Sequence, residues 1–225
     1  MDLEKLKDPQ RAKDSEWFFK TGPGQYGEGD IFLGITVPKQ REVAKKYSDL
    51  SLSDIQKLLL SKIHEHRFVA LAILVNKFKK ADNFQREEIF DFYIKNAKNI
   101  NNWDLVDSSA PYIVGEYLAG RGKAILYKLA GSGNLWERRI AIVSSSGFIK
   151  RGEYEDTFAI SEILLSDSCD LIHKAVGWML REVGKRNSGE LEKFLKKHQK
   201  NMPRTMLRYA IERFDVNKKR FYMAK

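Results

Sequence analysis

The hexapeptide Asn102-Trp-Asp-Leu-Val-Asp107 places an indole and a carboxylate at a spacing that could do chemistry. On a helix, Trp103 and Asp107 are four residues apart and share one face. An indole face attracts a cation by ~0.5–2 kcal/mol, and a carboxylate can stabilise a developing oxocarbenium ion and position a water. The pair therefore suits a cationic substrate.

Basic side chains are expected beside this pair. Alignment of the apolar helical segments puts Asp107 in register with Arg139 and Lys174, so the three should project from equivalent positions on successive helices. Trp178 follows Lys174 by one helical turn, and Arg181 follows Trp178. Because arginine binds phosphate through two parallel hydrogen bonds, the combined set suits a cationic substrate beside a polyanionic backbone.

A purely structural interpretation of the same residues stays open at this point. Trp103 and Trp178 are equally compatible with core positions. Asp107 and Arg139 could form a structural ion pair, because neighbouring charges in repeat proteins often pair across repeats.

The elements that must position these residues are predicted to be helical. Apolar residues recur at i, i+3 and i+4 over long stretches, and alternating runs are few. The helices come in pairs, and the second helix of each pair is predicted over 64–80, 103–119, 135–149, 171–186 and 203–214. Equivalent positions recur at intervals of 40, 32, 35 and 31 residues. We therefore expect an all-α superhelix of HEAT-like pairs with a concave binding face, forming one domain over residues 1–225; an irregular helical bundle is the alternative.

Composition narrows the class of protein. The 225 residues include 40 Lys and Arg against 30 Asp and Glu, a net charge of +10 that favours a nucleic-acid partner over a membrane surface. A single cysteine, Cys169, excludes an intramolecular disulfide and a zinc site built on clustered thiolates. No apolar run approaches the ~20 residues of a membrane span. We expect a cytoplasmic monomer without cofactor or metal.

The surplus charge is concentrated at one end of the chain. Residues 193–225 hold 11 basic and 2 acidic residues, which accounts for +9 of the +10. This segment could contact DNA phosphates. A solvated terminal helix with a frayed tail is the equal alternative.

Two further features are predicted to carry no chemistry. The segment 21–30 is rich in glycine, but it lacks the Lys-Ser/Thr pair of a phosphate-binding loop and is read as an ordinary loop. The histidines show no metal-ligand spacing and are predicted to be surface or helix-packing residues; they are His64, His66, His173 and His198.

Four strings together resemble a known family, the AlkD family of DNA alkylation repair glycosylases, which are built of HEAT-like repeats. They occur in the family's order at comparable spacing over nearly the whole chain. The strings are Phe32-Leu-Gly-Ile-Thr-Val-Pro38 with Arg41, Asn102-Trp-Asp-Leu-Val-Asp107, Asn134-Leu-Trp-Glu-Arg-Arg-Ile-Ala-Ile142 and His173-Lys-Ala-Val-Gly-Trp-Met-Leu-Arg181.

The resemblance implies a monofunctional glycosylase that releases cationic N3- and N7-alkylpurines from double-stranded DNA, acting on the lesion without a deep base-flipping pocket. By motif, Asp107 matches the catalytic carboxylate, and Trp103 and Trp178 match aromatic residues that line the lesion site. Arg139 matches an essential arginine of the cleft. The implied catalytic set is therefore Asp107, Trp103 and Arg139.

Other positions are carried over as substrate or DNA contacts. Arg181 matches a further cleft arginine, and Phe18 falls where an aromatic residue approaches the lesion. The remaining contacts are assigned to Lys174, Arg41 and Thr36. The chain departs from several relatives at Asn102, where they carry a second tryptophan. Two other functions remain as alternatives, a non-catalytic binder of damaged or branched DNA and a HEAT-like protein-interaction scaffold.

Overall fold

Helices form the regular structure of the protein in the computed structural model, which describes residues 2–224. Within those residues no strand is present, although Ile31 and Ile63 form an isolated parallel bridge. The all-α prediction is confirmed. The chain divides into two compact units, Met1–Ser109 and Ala110–Lys225, and each is described separately. The single domain over residues 1–225 stays a prediction.

The first unit is organised around one long apolar helix, α4. Helices α2 and α3 both pack against it. Acidic Glu65 lies in its first turn and three lysines in its last, which complements the helix dipole. The α-helices of this unit are α1 (Pro9–Phe18), α2 (Val37–Lys46), α3 (Leu52–Leu59), α4 (His64–Lys80), α5 (Asn83–Lys95) and α6 (Trp103–Ala110), with 3₁₀ turns at Asp2–Leu6 and Ala97–Asn99.

Two glycines allow the segment between α1 and α2 to fold back on α1. Gly34 has a φ of +77°, and a Cβ at this position would lie 2.2 Å from the Asp8 carbonyl oxygen. A Cβ on Gly27 would lie 2.4 Å from the Phe19 carbonyl oxygen. The segment between α1 and α2 therefore packs closely on α1, because a side chain at Gly34 would collide with the start of the helix and one at Gly27 with its end.

The second unit continues the series of paired helices. Its longest helix is α12, which packs against α9, α13 and α14. The elements are a π-helical turn (Pro111–Gly115), α7 (Glu116–Leu118), α8 (Ala124–Ala130), α9 (Leu135–Ser144), α10 (Ser146–Ile149), α11 (Glu155–Ile163), α12 (Asp170–Arg186), α13 (Ser188–His198), α14 (Arg204–Ala210) and α15 (Val216–Met223).

The predicted second helices are found at the expected places, but two of them are interrupted and the one predicted over 203–214 ends at Ala210. The helix predicted continuously over 103–119 is wrong in its middle, because Pro111 has no N–H for an α-helical bond and a π-helical turn begins there. The helix predicted over 135–149 is divided at Ser145 into α9 and α10. Helix α4 spans 64–80 as predicted.

The C-terminal segment is folded through the described residues. Helices α13, α14 and α15 occupy most of residues 188–223, and Tyr222 is buried. The terminal helix α15 is mostly exposed, as the alternative of a solvated terminal helix expects, but its residues up to Met223 are helical and not frayed. Contact of this segment with DNA stays a prediction. Among residues 2–224, no helix has both the length and the apolar character needed to span a bilayer.

Candidate active site

Trp103 lies in a group of aromatic rings at the end of α1. Its ring centroid is 5.9 Å from Phe18 and 5.5 Å from Phe19. The two phenylalanines meet edge to face at 5.0 Å, within the range of favourable ring pairs. Phe18 is 55% exposed and Trp103 is half-buried. The structure thus brings together two predicted site residues that are 85 positions apart in the sequence, and leaves part of their surface open to a ligand.

Thr36 and Arg41 line two different grooves of the first unit. Thr36 and Phe18 line the same groove along α1. Arg41 lines a second groove together with Phe68 and Ser108. Ser108 directly follows Asp107 in α6, so Arg41 is close to the helix that carries the predicted carboxylate.

Asp107 is half-buried on α6, one helical turn after Trp103. Its negative charge acts on Tyr93, a buried residue of α5. Burial, together with the Asp107 charge, raises the pKa of Tyr93, although a hydrogen bond to Ser109 opposes the shift. The phenol of Tyr93 therefore stays protonated and holds Ser109 Oγ at 2.8 Å, which fixes the second turn of α6 to α5.

The first turn of α6 is held by a buried group of charged and polar residues, which we call the His64 network. His64 Nε2 lies 2.8 Å from Asp104 Oδ2, and His64 Nδ1 lies 3.3 Å from Asp30 Oδ2. Arg67 Nη2 lies 2.7 Å from the other oxygen of Asp30. Asn102 Nδ2 donates to Asp30 at 3.4 Å, and Asn102 Oδ1 accepts from the Trp103 N–H at 2.8 Å. The network comprises Asp30, His64, Arg67, Asn102 and Asp104.

The ionisation of the His64 network follows from its neighbours. Burial alone would lower the pKa of His64, but Asp104 and Asp30 outweigh burial and raise it to about 9. Burial likewise works to raise the pKa of Asp30, but His64 and Arg67 together hold it below its usual value. At neutral pH the network therefore contains two carboxylates and two cations.

Glu65, the next residue of α4, fixes the backbone that leads into α2. Its carboxylate is buried and accepts three backbone N–H groups, from Leu33 at 2.9 Å, Gly34 at 2.8 Å and Ile35 at 3.2 Å. Charged acceptors make the stronger hydrogen bonds. The start of α4 therefore holds the loop before α2 as well as the start of α6.

In the second unit, the predicted arginine of α9 is attached to α12. Arg139 is 5% exposed, and its Nη1 donates to the Leu171 carbonyl oxygen at 2.6 Å. Leu171 lies in the first turn of α12, the helix that carries Lys174, Trp178 and Arg181. The predicted site residues of this unit therefore lie on two packed helices.

The charged residues of α12 have partners. Lys174 lies 2.8 Å from Asp170, and this contact lowers the pKa of Asp170. Arg181 pairs with Glu212, which follows α14. A phosphate at this guanidinium would compete with Glu212. Trp178 is half-buried. A Cβ on the preceding Gly177 would lie 2.5 Å from the Met206 carbonyl oxygen, so glycine there permits the close packing of α12 and α14.

The predicted residues thus form two sets, one in each unit. Phe18, Thr36, Arg41, Trp103 and Asp107 belong to the first, and Arg139, Lys174, Trp178 and Arg181 to the second. Their convergence on one face stays a prediction.

Sequence reasoning missed the His64 network. His64 was predicted to be a surface or helix-packing residue, whereas it also bonds to the buried carboxylate of Asp30 and the partly buried carboxylate of Asp104. The available signal was local, since His64, Glu65 and Arg67 bring three charged or polar groups to the start of an otherwise apolar helix. Asn102, where the chain departs from the motif of several relatives, is fully buried and belongs to this network.

No group of three or more His, Cys, Asp or Glu side chains among residues 2–224 is arranged to hold a metal ion. The polar side-chain groups of the two predicted sets are carboxylate, guanidinium, ammonium, hydroxyl and indole N–H groups.

Solved structures share the fold at low sequence identity. A structure described as a predicted DNA alkylation repair enzyme from Enterococcus faecalis has a TM-score of 0.72 at 17% identity, covering 94% of this chain and 98% of that one. AlkD2 from Streptococcus mutans has a TM-score of 0.54 at 20% identity, covering 92% and 99%. The protein smu.31 from Streptococcus mutans has a TM-score of 0.54 at 18% identity, covering 95% and 100%.

A comparison with curated proteins found no match. The sequence model of one family, described as DNA alkylation repair enzyme, matches residues 1–214. This match covers all but the last residues of the chain, including both sets of predicted site residues. With the resemblance of the four strings, it shows that the chain belongs to the DNA alkylation repair enzyme family.

Proposed function

We propose that the protein is a monofunctional DNA glycosylase that hydrolyses the N-glycosidic bond of cationic N3- or N7-alkylated purines in double-stranded DNA. The observation that carries the proposal is the position of Asp107 on α6, one turn from an indole whose aromatic neighbours are partly open to solvent. We further propose that the protein acts as a monomer in the cytoplasm.

The proposed reaction needs little acid catalysis. An alkylated purine already carries positive charge, so the glycosidic bond can break with its electron pair passing to the base, which leaves neutral. Water adds to C1′ of the deoxyribose, and its proton passes to the Asp107 carboxylate and then to solvent. Asp107 would stabilise the cationic sugar before water adds, and Trp103 would hold the cationic base by its indole face.

The remaining predicted residues have roles that suit a duplex substrate. Phe18 and Thr36 line an open groove, which fits a lesion approached without a deep pocket. Arg41 would compensate for phosphate charge beside the lesion, and Arg139 keeps the catalytic role that the family resemblance implies. Lesions that stay neutral would be poor substrates, because the proposed set includes no general acid for the leaving base.

A time course of free-base release tests the proposal. Duplex DNA containing 7-methylguanine is incubated with excess protein, and the released base is measured by mass spectrometry. We expect release by the natural chain and a loss of at least about 100-fold for Asp107→Asn, the scale of a positioned acid–base group. Binding to the same duplex, followed by fluorescence anisotropy, should persist in the variant.

Asp91→Asn is the matched control, because it makes the same change at an exposed carboxylate of α5. It should release base at the rate of the natural chain. Salt-dependent binding without any base release would instead indicate a non-catalytic DNA binder. Neither binding nor release would indicate a protein-interaction scaffold.

A further inference from the structure

We propose that His64, as an imidazolium, is a positioning residue of the glycosylase site: by bridging Asp104 and Asp30 it fixes the first turn of α6, and with it Trp103 and Asp107. The catalytic consequence rests on the proposed function. The positional consequence concerns only the first unit and does not depend on any activity.

The geometry assigns two protons to the His64 ring. Each ring nitrogen faces a carboxylate oxygen, at 2.8 Å from Asp104 and 3.3 Å from Asp30, and the side chain is 4% exposed. A neutral imidazole has one N–H and one lone pair, so it would point a lone pair at one of the two carboxylate oxygens. Only the imidazolium donates to both partners.

Charge balance leads to the same assignment. The charged groups that face His64 are Asp30 from the glycine-rich loop, Asp104 from α6 and Arg67 from its own helix. With His64 protonated, two carboxylates meet two cations and the buried network is neutral. With His64 neutral, one negative charge would be buried without compensation, which is costly in the interior. The raised pKa of His64, about 9, agrees with this balance.

The network is joined to Trp103 by three routes. Asp104 is its neighbour in the chain, and the Trp103 N–H is bound to Asn102, which also donates to Asp30. The third route is Phe19, whose ring lies 5.0 Å from His64 and 5.5 Å from Trp103. A displacement of Asp104 would therefore move the indole relative to its aromatic neighbours.

The same displacement reaches Asp107 through the helix. Asp104 and Asp107 are three residues apart in α6, so they move together as one turn of a hydrogen-bonded element. Loss of catalytic geometry by ~1 Å can lower a rate by ~100-fold. His64 therefore acts on the reaction through two positioned residues, without touching the substrate.

The test compares His64→Gln with His198→Gln in single-turnover base release at saturating duplex. His198 is a close match, because it also contacts a phenylalanine ring, at 4.6 Å from Phe194, and a carboxylate, at 2.8 Å from Glu162. It lies on α13, which carries none of the predicted site residues. We expect His64→Gln to lower the rate constant at least about 10-fold with little change in DNA affinity, and His198→Gln to leave both unchanged.

A pH profile separates positioning from general destabilisation. In the natural chain the single-turnover rate constant should fall as the pH rises through about 9, as His64 loses its proton. In His64→Gln this decrease of the rate constant at high pH should be absent. Asp104→Asn should reproduce the loss, and the double variant should be no slower than either single variant, because both changes break one link. Equal rates and identical pH profiles for the natural chain and His64→Gln would overturn the proposal.

Two measurements keep the proposal testable whatever the activity or folding of the variants. In the natural chain, imidazole ¹⁵N NMR should show His64 doubly protonated until the pH reaches about 9. A titration midpoint of His64 near its unperturbed pKa of 6.5 would overturn the proposal. In folded His64→Gln, the indole N–H resonance of Trp103, assigned with Trp103→Phe, should shift, and in His198→Gln it should not. An unshifted resonance would also overturn it. Lack of base release by the natural chain would instead contradict the proposed function and leave these two results to decide the role of His64.

Discussion

Charge is used in opposite ways in two regions of the molecule. At the start of α4, His64, Glu65 and Arg67 are buried and held by carboxylates or backbone groups, and the His64 network carries no net charge. In residues 193–225, 11 basic residues face 2 acidic ones, and ion pairs such as Lys218 with Glu192 are solvent-exposed. The net charge of the chain thus comes almost entirely from the second region, and the charges of the His64 network in the first region cancel within it.

The difference follows from the dielectric surroundings. Charges in a low-dielectric interior interact strongly at short range, so their partners fix backbone positions. Exposed charges are screened by salt within about 10 Å, and an exposed ion pair contributes at most ~1 kcal/mol. We therefore expect the buried charges to control geometry and stability, and the C-terminal charges to control attraction to a polyanion.

Glu65→Ala should give the largest effect on stability. It leaves the N–H groups of Leu33, Gly34 and Ile35 without their buried acceptor, and each unmatched buried donor costs ~1–3 kcal/mol. We expect the free energy of unfolding, measured by urea titration with circular dichroism, to fall by at least about 3 kcal/mol.

Glu28→Ala is the matched control for Glu65→Ala. The Glu28 carboxylate also accepts a backbone N–H, from Gly24 at 2.8 Å, but it does so at the exposed surface. Its loss should change the free energy of unfolding by less than about 1 kcal/mol, because water replaces the bond. Equal losses in the two variants would remove the distinction between buried and exposed charge.

The pH dependence of stability should show the next largest effect. The pKa of His64 is raised from 6.5 to about 9 in the folded protein. Its contribution is therefore complete below the unfolded value and is lost as the pH rises through about 9. A shift of this size corresponds to about 3 kcal/mol.

Urea titrations at several pH values measure this contribution. The natural chain should lose stability between about pH 6.5 and pH 9.5, and His64→Gln should lose much less over the same interval. The lowered pKa of Asp30 works in the opposite direction, so its contribution is present above about pH 4 and is lost as the pH falls further. A natural chain whose stability is constant up to about pH 9.5 would contradict the assignment of charge to His64.

Local sequence patterns predicted the helices and part of the site. The bounds of α4 follow from its apolar run, and the placement of Trp103 and Asp107 on one helix follows from their spacing. Phe18 contacts Trp103, and its role beside a lesion stays a prediction of the family resemblance. The interruption at Pro111 could have been read from the missing N–H.

The His64 network could not be predicted in the same way. His64 is 34 residues from Asp30 and 40 residues from Asp104 in the chain. Periodicity describes one helix at a time, whereas these contacts depend on how a loop, α4 and α6 pack together. The net charge gave no signal either, because opposite charges within the network cancel.

The smallest effect is expected from the C-terminal charges. Replacing Lys218, Lys219 and Arg220 by glutamine should weaken duplex binding a few-fold and lower the salt slope of log K by at most about 3, since each phosphate contact contributes ~0.9. Lys218 already pairs with Glu192 at 2.6 Å, so its share should be the smallest.

A variant with glutamine at Lys57, Lys95 and Lys98 removes the same charge from exposed positions of the first unit and separates local contact from net charge. Single-turnover base release at saturating DNA should be unchanged in both triple variants, because neither touches the network that positions Trp103 and Asp107. A large loss of that rate in the C-terminal variant would show that exposed charge reaches the lesion, and the two regions would then share one role.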